Sequence, residues 1–169
     1  GTEIWESERC LGIACALFKG FFSERGYLMA LEQERTSRDY LFGRLLAIAE
    51  DIESYALYAA GEKARETSAA RLMQRFSNRP ASTWRTIELS LRPYIARLRA
   101  TRPGPLHKKE SLLDEVVALF NPQDFLTDTP LSGEFLLGYH CQRQVLRPPK
   151  EEREDTSDAV QPTTSGEPA

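Results

Sequence analysis

The sequence predicts an all-α protein: a single bundle of about five to six helices followed by a C-terminal tail. Apolar residues recur at helical spacing up to residue 147. No window shows a sustained period of two with turn residues at hairpin spacing, which a β-sheet would require. A chain of 169 residues, 41% of them hydrophobic, is long enough to bury one core. We therefore predict one helical bundle over residues 1–147.

The first two predicted helices are strongly apolar. The first covers residues 5–24, and the second follows Thr36 and runs to residue 60. The spacing from Thr36 to Asp39 loosely fits a capping box at the start of the second helix. An apolar face as wide as that of the second helix is expected at the centre of a bundle. This face carries Leu41, Phe42, Leu45, Leu46, Ile48, Ala49, Ile52 and Tyr55.

Prolines mark the boundaries of the next two helices. The third helix covers roughly residues 62–79, after Gly61, and is ended by Pro80. The fourth begins after Ser82, and Pro93 inside it should bend the helix or break its hydrogen-bond ladder. The apolar stripe of the fourth helix consists of Trp84, Ile87, Leu91, Ile95 and Leu98.

The last third of the chain is predicted to contain a loop, two helices and a tail. Residues 102–109, RPGPLHKK, should form a loop because they contain two prolines and a glycine. Ser111 opens a fifth helix that ends near Phe120, and Thr129 with Pro130 begins a sixth helix over residues 131–147. The tail over residues 148–169 is acidic and rich in Ser, Thr and Pro, so we expect it to be disordered.

Charge is distributed unevenly along the chain although the net charge is only -3. Residues 61–109 contain 12 basic and 3 acidic residues, whereas acidic residues outnumber basic ones on both sides of this block. Binding to a polyanion depends on the local field rather than on the net charge. The basic centre therefore permits a nucleic-acid partner despite an overall acidic sequence.

The cysteines and the apolar segments predict a cytoplasmic protein in a reducing compartment. Cys10, Cys15 and Cys141 form no C-x-x-C pair, and a free cysteine is usually a small buried hydrophobic residue. The longest apolar stretch, residues 11–22, contains Lys19 and is too short to span a bilayer. We expect neither membrane insertion nor export.

Candidate catalytic and metal-binding residues are few. His107 and His140 have no partner that the sequence can place, and no nucleotide-binding, zinc-protease or serine-hydrolase motif is present. His140 and Cys141 are adjacent, so on a helix they point about 100° apart and cannot readily share one zinc ion. Three acids, Glu50, Asp51 and Glu53, are expected on an exposed helix face rather than at a metal ion. We predict no catalytic activity, cofactor or metal.

Arginines on the third and fourth helices are the strongest candidates for a binding surface. On the third helix they repeat every four residues, and on the fourth every seven, so both sets form ridges. Arginine suits bidentate contacts with phosphate and stacking on bases. The candidate nucleic-acid-binding residues are Arg71, Arg75, Arg79, Arg85, Arg92, Arg97, Arg99, Arg102, Lys108 and Lys109.

A solvated helix surface that makes salt bridges is the alternative interpretation of these arginines. Such surfaces usually contain interspersed acids, yet Glu88 is the only acid between Thr67 and Lys109. This favours sequence-independent contact with backbone phosphates, including those of a single strand. Three aromatic residues, Phe76, Trp84 and Tyr94, could stack on bases, but their places near the apolar stripes predict core positions.

Four separated blocks resemble the C-terminal region of the large subunit of the type I-C CRISPR effector complex, Cascade. They are YLFGRLLAIAEDIE, ARLMQRFSNRPASTWRTIELSLRPYIARLR, ESLLDEVVALF and GEFLLGYHCQRQ, within residues 37–147. Two elements are the most specific: L-x-G-R-L-L at residues 41–46 and G-Y-x-x-Q-R-Q at residues 138–144. In this family the C-terminal region is also made as a separate protein, the small subunit. The short length of the chain favours that free-standing form.

The resemblance implies a non-enzymatic helical bundle that lines the path of the target DNA and steadies the displaced strand of the R-loop. The implied partners are the large subunit, the backbone subunits, further copies of the small subunit, the crRNA-containing complex and the target DNA, especially its displaced single strand. In the last helix we expect Phe135 and Tyr139 to be buried and Gly138 to permit close helix approach. Gln142 and Arg143 are expected to face a neighbouring subunit.

Two other functions remain open at the level of the sequence. In the first, the protein is a scaffold that binds only neighbouring protein subunits, with its arginines paired to acidic partners. In the second, it is an enzyme or metal protein that uses His140 with the acids of the second helix.

Overall fold

The computed structural model describes residues 31–62 and 64–147, and these ranges form five α-helices, one 3₁₀ turn and no β-strand. The predicted all-α bundle is confirmed. The predicted helix over residues 5–24, Cys10, Cys15 and the tail over residues 148–169 lie outside the described residues. In chain order the elements are α1 (Arg38–Ala59), α2 (Ser68–Asn78), α3 (Pro80–Thr101), α4 (Pro103–Ala118), the 3₁₀ turn (Pro122–Phe125) and α5 (Glu134–Leu146).

Helix α1 is the centre of the bundle, as its wide apolar face predicts. Every residue from Tyr40 to Glu53 is buried, and α1 packs against α5, α2, α3 and α4. Aromatic rings close the core around it, with the Phe42 ring centroid 4.8 Å from that of Phe120 and 5.8 Å from that of Phe76. No helix in the described part of the chain is long and apolar enough to cross a membrane.

The N-terminus of α1 is not capped as predicted. Ser37 is the N-cap residue and its side chain makes no capping hydrogen bond, so the capping box predicted from Thr36 and Asp39 does not form. Asp39 instead accepts a hydrogen bond from the backbone N–H of Ser132, 2.8 Å away. A hydrogen bond to a residue distant in sequence thus takes the place of the predicted local capping bond.

Helix α2 is shorter than predicted because the chain turns before it. Gly61 has φ +81°, a conformation that residues with a side chain rarely adopt. The Thr67 side chain then accepts a hydrogen bond from the N–H of Ala70, 3.2 Å away, and so caps a helix that begins at Ser68.

Helix α3 begins with Pro80 and is not interrupted by Pro93. Pro80 occupies the first turn, where a missing N–H leaves no intrahelical bond unmade. Pro93 lies on the exposed side of the helix, and the carbonyl four residues earlier belongs to Leu89, which is 58% exposed. Water can therefore satisfy the carbonyl that loses its partner.

The loop predicted over residues 102–109 is wrong, because these residues form the start of α4. Pro103 and Pro105 both lie in the first turn of that helix, where proline is tolerated. Leu106 is buried in the core and holds this turn against the bundle. Ser111, predicted to open a helix, therefore lies in the middle of α4.

Helix α5 begins at Glu134, three residues later than predicted. The N-cap residue is Gly133, so Thr129 and Pro130 do not start the helix. The segment before α5 is held by the Arg38 guanidinium, which donates to the carbonyl oxygens of Thr127 (3.2 Å) and Thr129 (3.0 Å). These contacts position the 3₁₀ turn and α5 against the start of α1.

Candidate nucleic-acid interface

The two most specific sequence elements meet where α1 crosses α5. A Cβ atom added at Gly43 would overlap the carbonyl oxygen of Phe135, and one added at Gly138 would overlap the carbonyl oxygen of Tyr40. The two backbones therefore approach each other as closely as glycine allows. Phe135 and Tyr139 are buried, so the predictions for Phe135, Gly138 and Tyr139 are confirmed.

A buried polar contact lies beside this crossing. The Arg44 guanidinium donates from Nε to Oε1 of Gln142, 2.9 Å away, and both residues are at most 4% exposed. Burial lowers the pKa of Arg44. The prediction that Gln142 faces a neighbouring subunit is wrong, because Arg44 holds it inside the bundle. The sequence contained a signal for this pair. Arg44 follows Gly43 by one residue, and Gln142 follows Gly138 by four residues.

Arg143 is half-exposed beside the same crossing. Its Nε atom lies 3.9 Å from a carboxylate oxygen of Glu50, and its Nη1 atom lies 3.5 Å from the hydroxyl of Tyr139. The structure thus gives Arg143 an intramolecular partner, and its predicted contact with a neighbouring subunit stays a prediction.

The three acids of α1 are buried, so the prediction that they occupy an exposed face is wrong. The Tyr139 hydroxyl donates to Glu50 at 2.5 Å, and burial together with this carboxylate raises the pKa of Tyr139. Asp51 is paired with Lys109 and with Arg147, whose Nε atom is 3.2 Å away. Other helices supply all these partners, and periodicity along one helix contains no information about them.

The acids do not converge on a common point. Glu53 accepts a hydrogen bond from the backbone N–H of Ser68 (2.8 Å) and another from its hydroxyl (3.2 Å) at the start of α2. A carboxylate at a helix N-terminus is stabilised by the helix dipole. Within residues 31–62 and 64–147, no group of three His, Cys, Asp or Glu side chains could hold a metal ion. Each acid therefore has a structural contact.

His140 and Cys141, adjacent on α5, lie in different surroundings. Cys141 is 2% exposed, as predicted for a small buried residue, and burial raises the pKa of its thiol. The ring of His140 lies edge-on to that of Tyr139, with centroids 5.2 Å apart. His107 is exposed on α4 rather than in a loop.

Nine of the ten candidate basic residues are exposed, and the tenth, Lys109, is half-buried. The Lys109 ammonium group is paired with the Asp51 carboxylate and lies 5.1 Å from the ring centroid of Tyr55. These contacts fix α4 to α1. Lys109 is therefore a structural residue, unlike its neighbour Lys108, which is exposed.

The predicted ridge on α2 contains two arginines rather than three. Arg71 and Arg75 are exposed on the helix, and Arg71 donates to the hydroxyl of Ser68, 3.3 Å away. Arg79 lies beyond the end of α2, with φ -139° and ψ 72°, at the junction with α3. Its charge acts on the nearby carboxylate of Asp128, whose pKa is lowered mainly by the backbone N–H of Ser82 and only weakly by Arg79.

The four arginines of α3 lie in two different surroundings. Arg85 and Arg92 line a groove between α3, α4 and the 3₁₀ turn. Arg99 is paired with Glu110 at 2.8 Å, and Arg97 lies 4.0 Å from Glu62. Exposed pairs of this kind contribute little to stability, but each carboxylate reduces the local positive field.

Apart from Arg79, whose charge acts weakly on Asp128, six exposed basic residues have no carboxylate within ion-pair distance among the described residues. Arg71 and Arg75 lie on α2, two more lie at the groove of α3, and the last two lie at the beginning of α4. An exposed guanidinium without a carboxylate partner is available to an external anion. This set, called the unpaired basic set below, consists of Arg71, Arg75, Arg85, Arg92, Arg102 and Lys108.

The three aromatic residues near these arginines belong mainly to the core. Phe76 is fully buried and Trp84 is 7% exposed, as predicted. Tyr94 is half-buried, and the Arg97 guanidinium lies 6.0 Å from its ring centroid. Of these three aromatic residues, only Tyr94 is partly open to solvent.

A comparison with known protein families finds a match that includes both sequence elements of the α1–α5 crossing. Residues 5–147 match the family model described as CRISPR-associated protein (Cas_Csd1). No curated protein matches the sequence. The match covers most of the chain, including both motif elements and all five described helices. The chain therefore belongs to the Cas_Csd1 family of CRISPR-associated proteins.

Proposed function

We propose that the protein is a non-enzymatic small subunit of the type I-C CRISPR effector complex, where it lines the target DNA path and steadies the displaced strand. Membership of a CRISPR-associated family implies a place in a multi-subunit CRISPR complex and so supports this proposal. In the proposed role, base pairing with the guide RNA recognises the target sequence. The RNA–DNA duplex that forms is about as stable as the DNA duplex it replaces, so protein contacts with the backbone and the displaced strand can favour the exchange.

The unpaired basic set is the observation that carries this proposal. Arg71 and Arg75 lie one turn apart on α2, and Arg85 and Arg92 lie two turns apart on α3. All four are exposed, and none forms an ion pair with a carboxylate among the described residues. Exposed arginines of this kind attract the backbone phosphates of a nucleic acid whatever its sequence. Binding to a displaced strand of variable sequence requires this property.

A scaffold that contacts only neighbouring protein subunits is the second candidate function. Leu89 favours it, because this residue is 58% exposed and lies between Arg85 and Arg92 on the outer side of α3. Arginine and exposed apolar residues occur together in protein interfaces. In this case the arginines would pair with acids of another subunit.

Target binding by the reconstituted complex tests the proposal. The test variants are Arg71→Ala/Arg75→Ala and Arg85→Ala/Arg92→Ala. The control Arg65→Ala/Arg99→Ala also removes two exposed arginines, but both are paired with carboxylates, Arg65 with Glu62 at 3.2 Å. Assembly is checked first, and the affinity for target DNA and the protection of the displaced strand are then measured over a range of salt concentrations.

If these arginines contact DNA, each test variant should assemble into the complex but should protect the displaced strand poorly. The log-log salt slope should also become shallower by about 1.4 for two lost contacts to a single strand. The control should bind with nearly the wild-type slope. Test variants that assemble and bind DNA with an unchanged slope would contradict DNA contact. Test variants that fail to assemble, while the control assembles, would favour the scaffold.

A further inference from the structure

A groove of about 500 Å³ lies between α3, α4 and the 3₁₀ turn, and its lining is mainly apolar. Part of the lining is fixed by the core, because Trp84 is 7% exposed and the ring centroid of Phe125 lies 5.6 Å from that of Phe42. Two other lining residues are open to solvent, since Leu126 is 65% and Val117 is 38% exposed. Its volume lies in the range of about 300–1,000 Å³ that small organic groups occupy in proteins.

Four exposed charged side chains also line this groove. Arg85, Glu88 and Arg92 come from α3, and Asp114 comes from α4. Within residues 31–62 and 64–147, none of the four forms an ion pair or a side-chain hydrogen bond. A guanidinium group can only donate hydrogen bonds, and a carboxylate can only accept them. The groove therefore offers both donors and acceptors beside an apolar surface.

The two arginines favour a nucleic acid as the ligand of this groove. They belong to the unpaired basic set, which continues to Arg102 and Lys108 at the start of α4. Arg85 and Arg92 are seven residues apart, so about 10 Å separates their Cα atoms along the helix axis. A stacked strand advances about 3.4 Å per nucleotide, so the two guanidinium groups can contact phosphates on either side of about two to three nucleotides.

The remaining lining residues match the chemistry of the bases. Apolar side chains such as Val117 and Leu126 can pack against the face of a base. Every base has at least one N–H donor on its Watson–Crick edge, and the carboxylates of Glu88 and Asp114 can accept from it. The same carboxylates repel a phosphate from the interior of the groove. The charges thus favour phosphates at the arginines and bases inside.

We propose that the groove between α3, α4 and the 3₁₀ turn binds bases of the displaced single strand, while Arg85 and Arg92 contact the adjoining phosphates. This inference rests on the proposed function and adds a base contact to it. A base whose Watson–Crick edge faces Glu88 or Asp114 cannot pair with the target strand. Base binding in the groove therefore favours the open R-loop whatever the sequence of the displaced strand.

Affinity of the reconstituted complex for targets with abasic sites tests the base contact, because an abasic nucleotide keeps its phosphate and lacks its base. The displaced strand is made noncomplementary to the target strand, so that re-pairing does not compete, and a short abasic block is moved along it. The groove variant is Val117→Ser/Leu126→Ser. The control Val145→Ser changes a 56% exposed residue on α5. Circular dichroism and assembly of each variant are checked first.

Base binding predicts that the abasic block weakens binding of the wild-type complex about fivefold or more at one or more positions, as expected for the loss of a base contact. With the groove variant the same block should weaken binding by at most about twofold, because the base contact is already lost. With Val145→Ser the loss should equal that of the wild type.

Three results would overturn the base contact. In the first, the wild-type complex binds natural and abasic strands equally at every position; the proposed function would still stand if Arg85→Ala/Arg92→Ala made the salt slope shallower. In the second, the abasic loss is as large in the groove variant as in the wild type, so the bases are bound elsewhere. In the third, the groove variant folds but fails to assemble while Val145→Ser assembles, so a protein segment covers the groove.

Discussion

Gly43 and Gly138 determine how closely α1 and α5 can approach. Each glycine lies against a backbone carbonyl of the other helix, so no flexible side chain can move aside for an added methyl group. Arg44 and Gln142 lie next to this crossing and are buried with a single hydrogen bond between them. The positions quoted for the family resemblance thus maintain a helix crossing.

Substituting either crossing glycine should separate the two helices. Gly43→Ala or Gly138→Ala is expected to lower the free energy of unfolding by about 3 kcal/mol or more, because the backbones must move apart. Gly104→Ala is the control, since Gly104 lies in α4 with open space around it, and its effect should be a gain of at most about 1 kcal/mol. Urea unfolding followed by circular dichroism measures both, and similar effects at all three positions would contradict the prediction.

Arg44 and Gln142 should behave as a coupled pair. Arg44→Met or Gln142→Leu alone leaves the other polar group buried without its partner, so each should lower the free energy of unfolding by about 2–3 kcal/mol. The double variant should lose less than the sum of the two, by about 1 kcal/mol or more. A double-mutant cycle in urea measures this coupling, and additive losses would show that the two side chains act independently.

The N-terminal ends of three helices are tied together by long-range contacts. Glu134 at the start of α5 accepts hydrogen bonds from the Ser37 hydroxyl and the Arg35 guanidinium, and these lower the pKa of Glu134. Asp128 accepts from the backbone N–H of Ser82 in the first turn of α3, 2.9 Å away, which lowers the pKa of Asp128. Both carboxylates are exposed to solvent to some extent, so they orient helix ends rather than drive folding.

The stability of the protein should therefore fall as the pH is lowered from about 5 to about 3. Because both pKa values are lower in the folded state, the unfolded chain binds more protons in this window, and the stabilisation is lost as the pH falls through the folded values. In Glu134→Gln/Asp128→Asn the free energy of unfolding should depend less steeply on pH. Urea titrations at several pH values measure the slope, and a slope identical to that of the wild type would contradict the assignment.

The bundle as a whole is organised around α1, which all the other described α-helices contact. The buried carboxylate of Asp51 holds two of them there, because it pairs with the half-buried Lys109 of α4 and with the exposed Arg147 after α5. In contrast, the unpaired basic set lies outside, on α2, on α3 and at the start of α4. Basic residues that look alike in sequence thus divide into a group paired with a buried carboxylate and an exposed, unpaired group available for binding.

Lys108 and Lys109 provide a direct test of this division. Lys109→Ala should lower the free energy of unfolding by about 1–2 kcal/mol, since Asp51 is buried and keeps only Arg147 as a partner. Lys108→Ala should change it by less than about 0.5 kcal/mol because Lys108 is exposed. Thermal and urea unfolding compare the two variants, and equal effects would contradict the structural role of Lys109.

Much of the fold could be predicted from the sequence because the signals are local. Seven of the eight residues predicted for the apolar face of α1, the second of the predicted helices, are buried, and the eighth, Tyr55, is half-buried. The arginines on α2 and α3 are exposed as their distance from the apolar stripes predicts. Pro103 and Pro105 misled the prediction because proline is typical both of loops and of the first turn of a helix.

The sequence by itself determined the all-α class, the central helix and the positions of the exposed arginines, because helical periodicity depends only on neighbours along the chain. The tertiary structure alone decided that Glu50, Asp51 and Glu53 are buried, that Gln142 faces Arg44 and that Lys109 is an internal partner. Each of these outcomes depends on a residue of another helix, and spacing within one helix contains no information about such a partner.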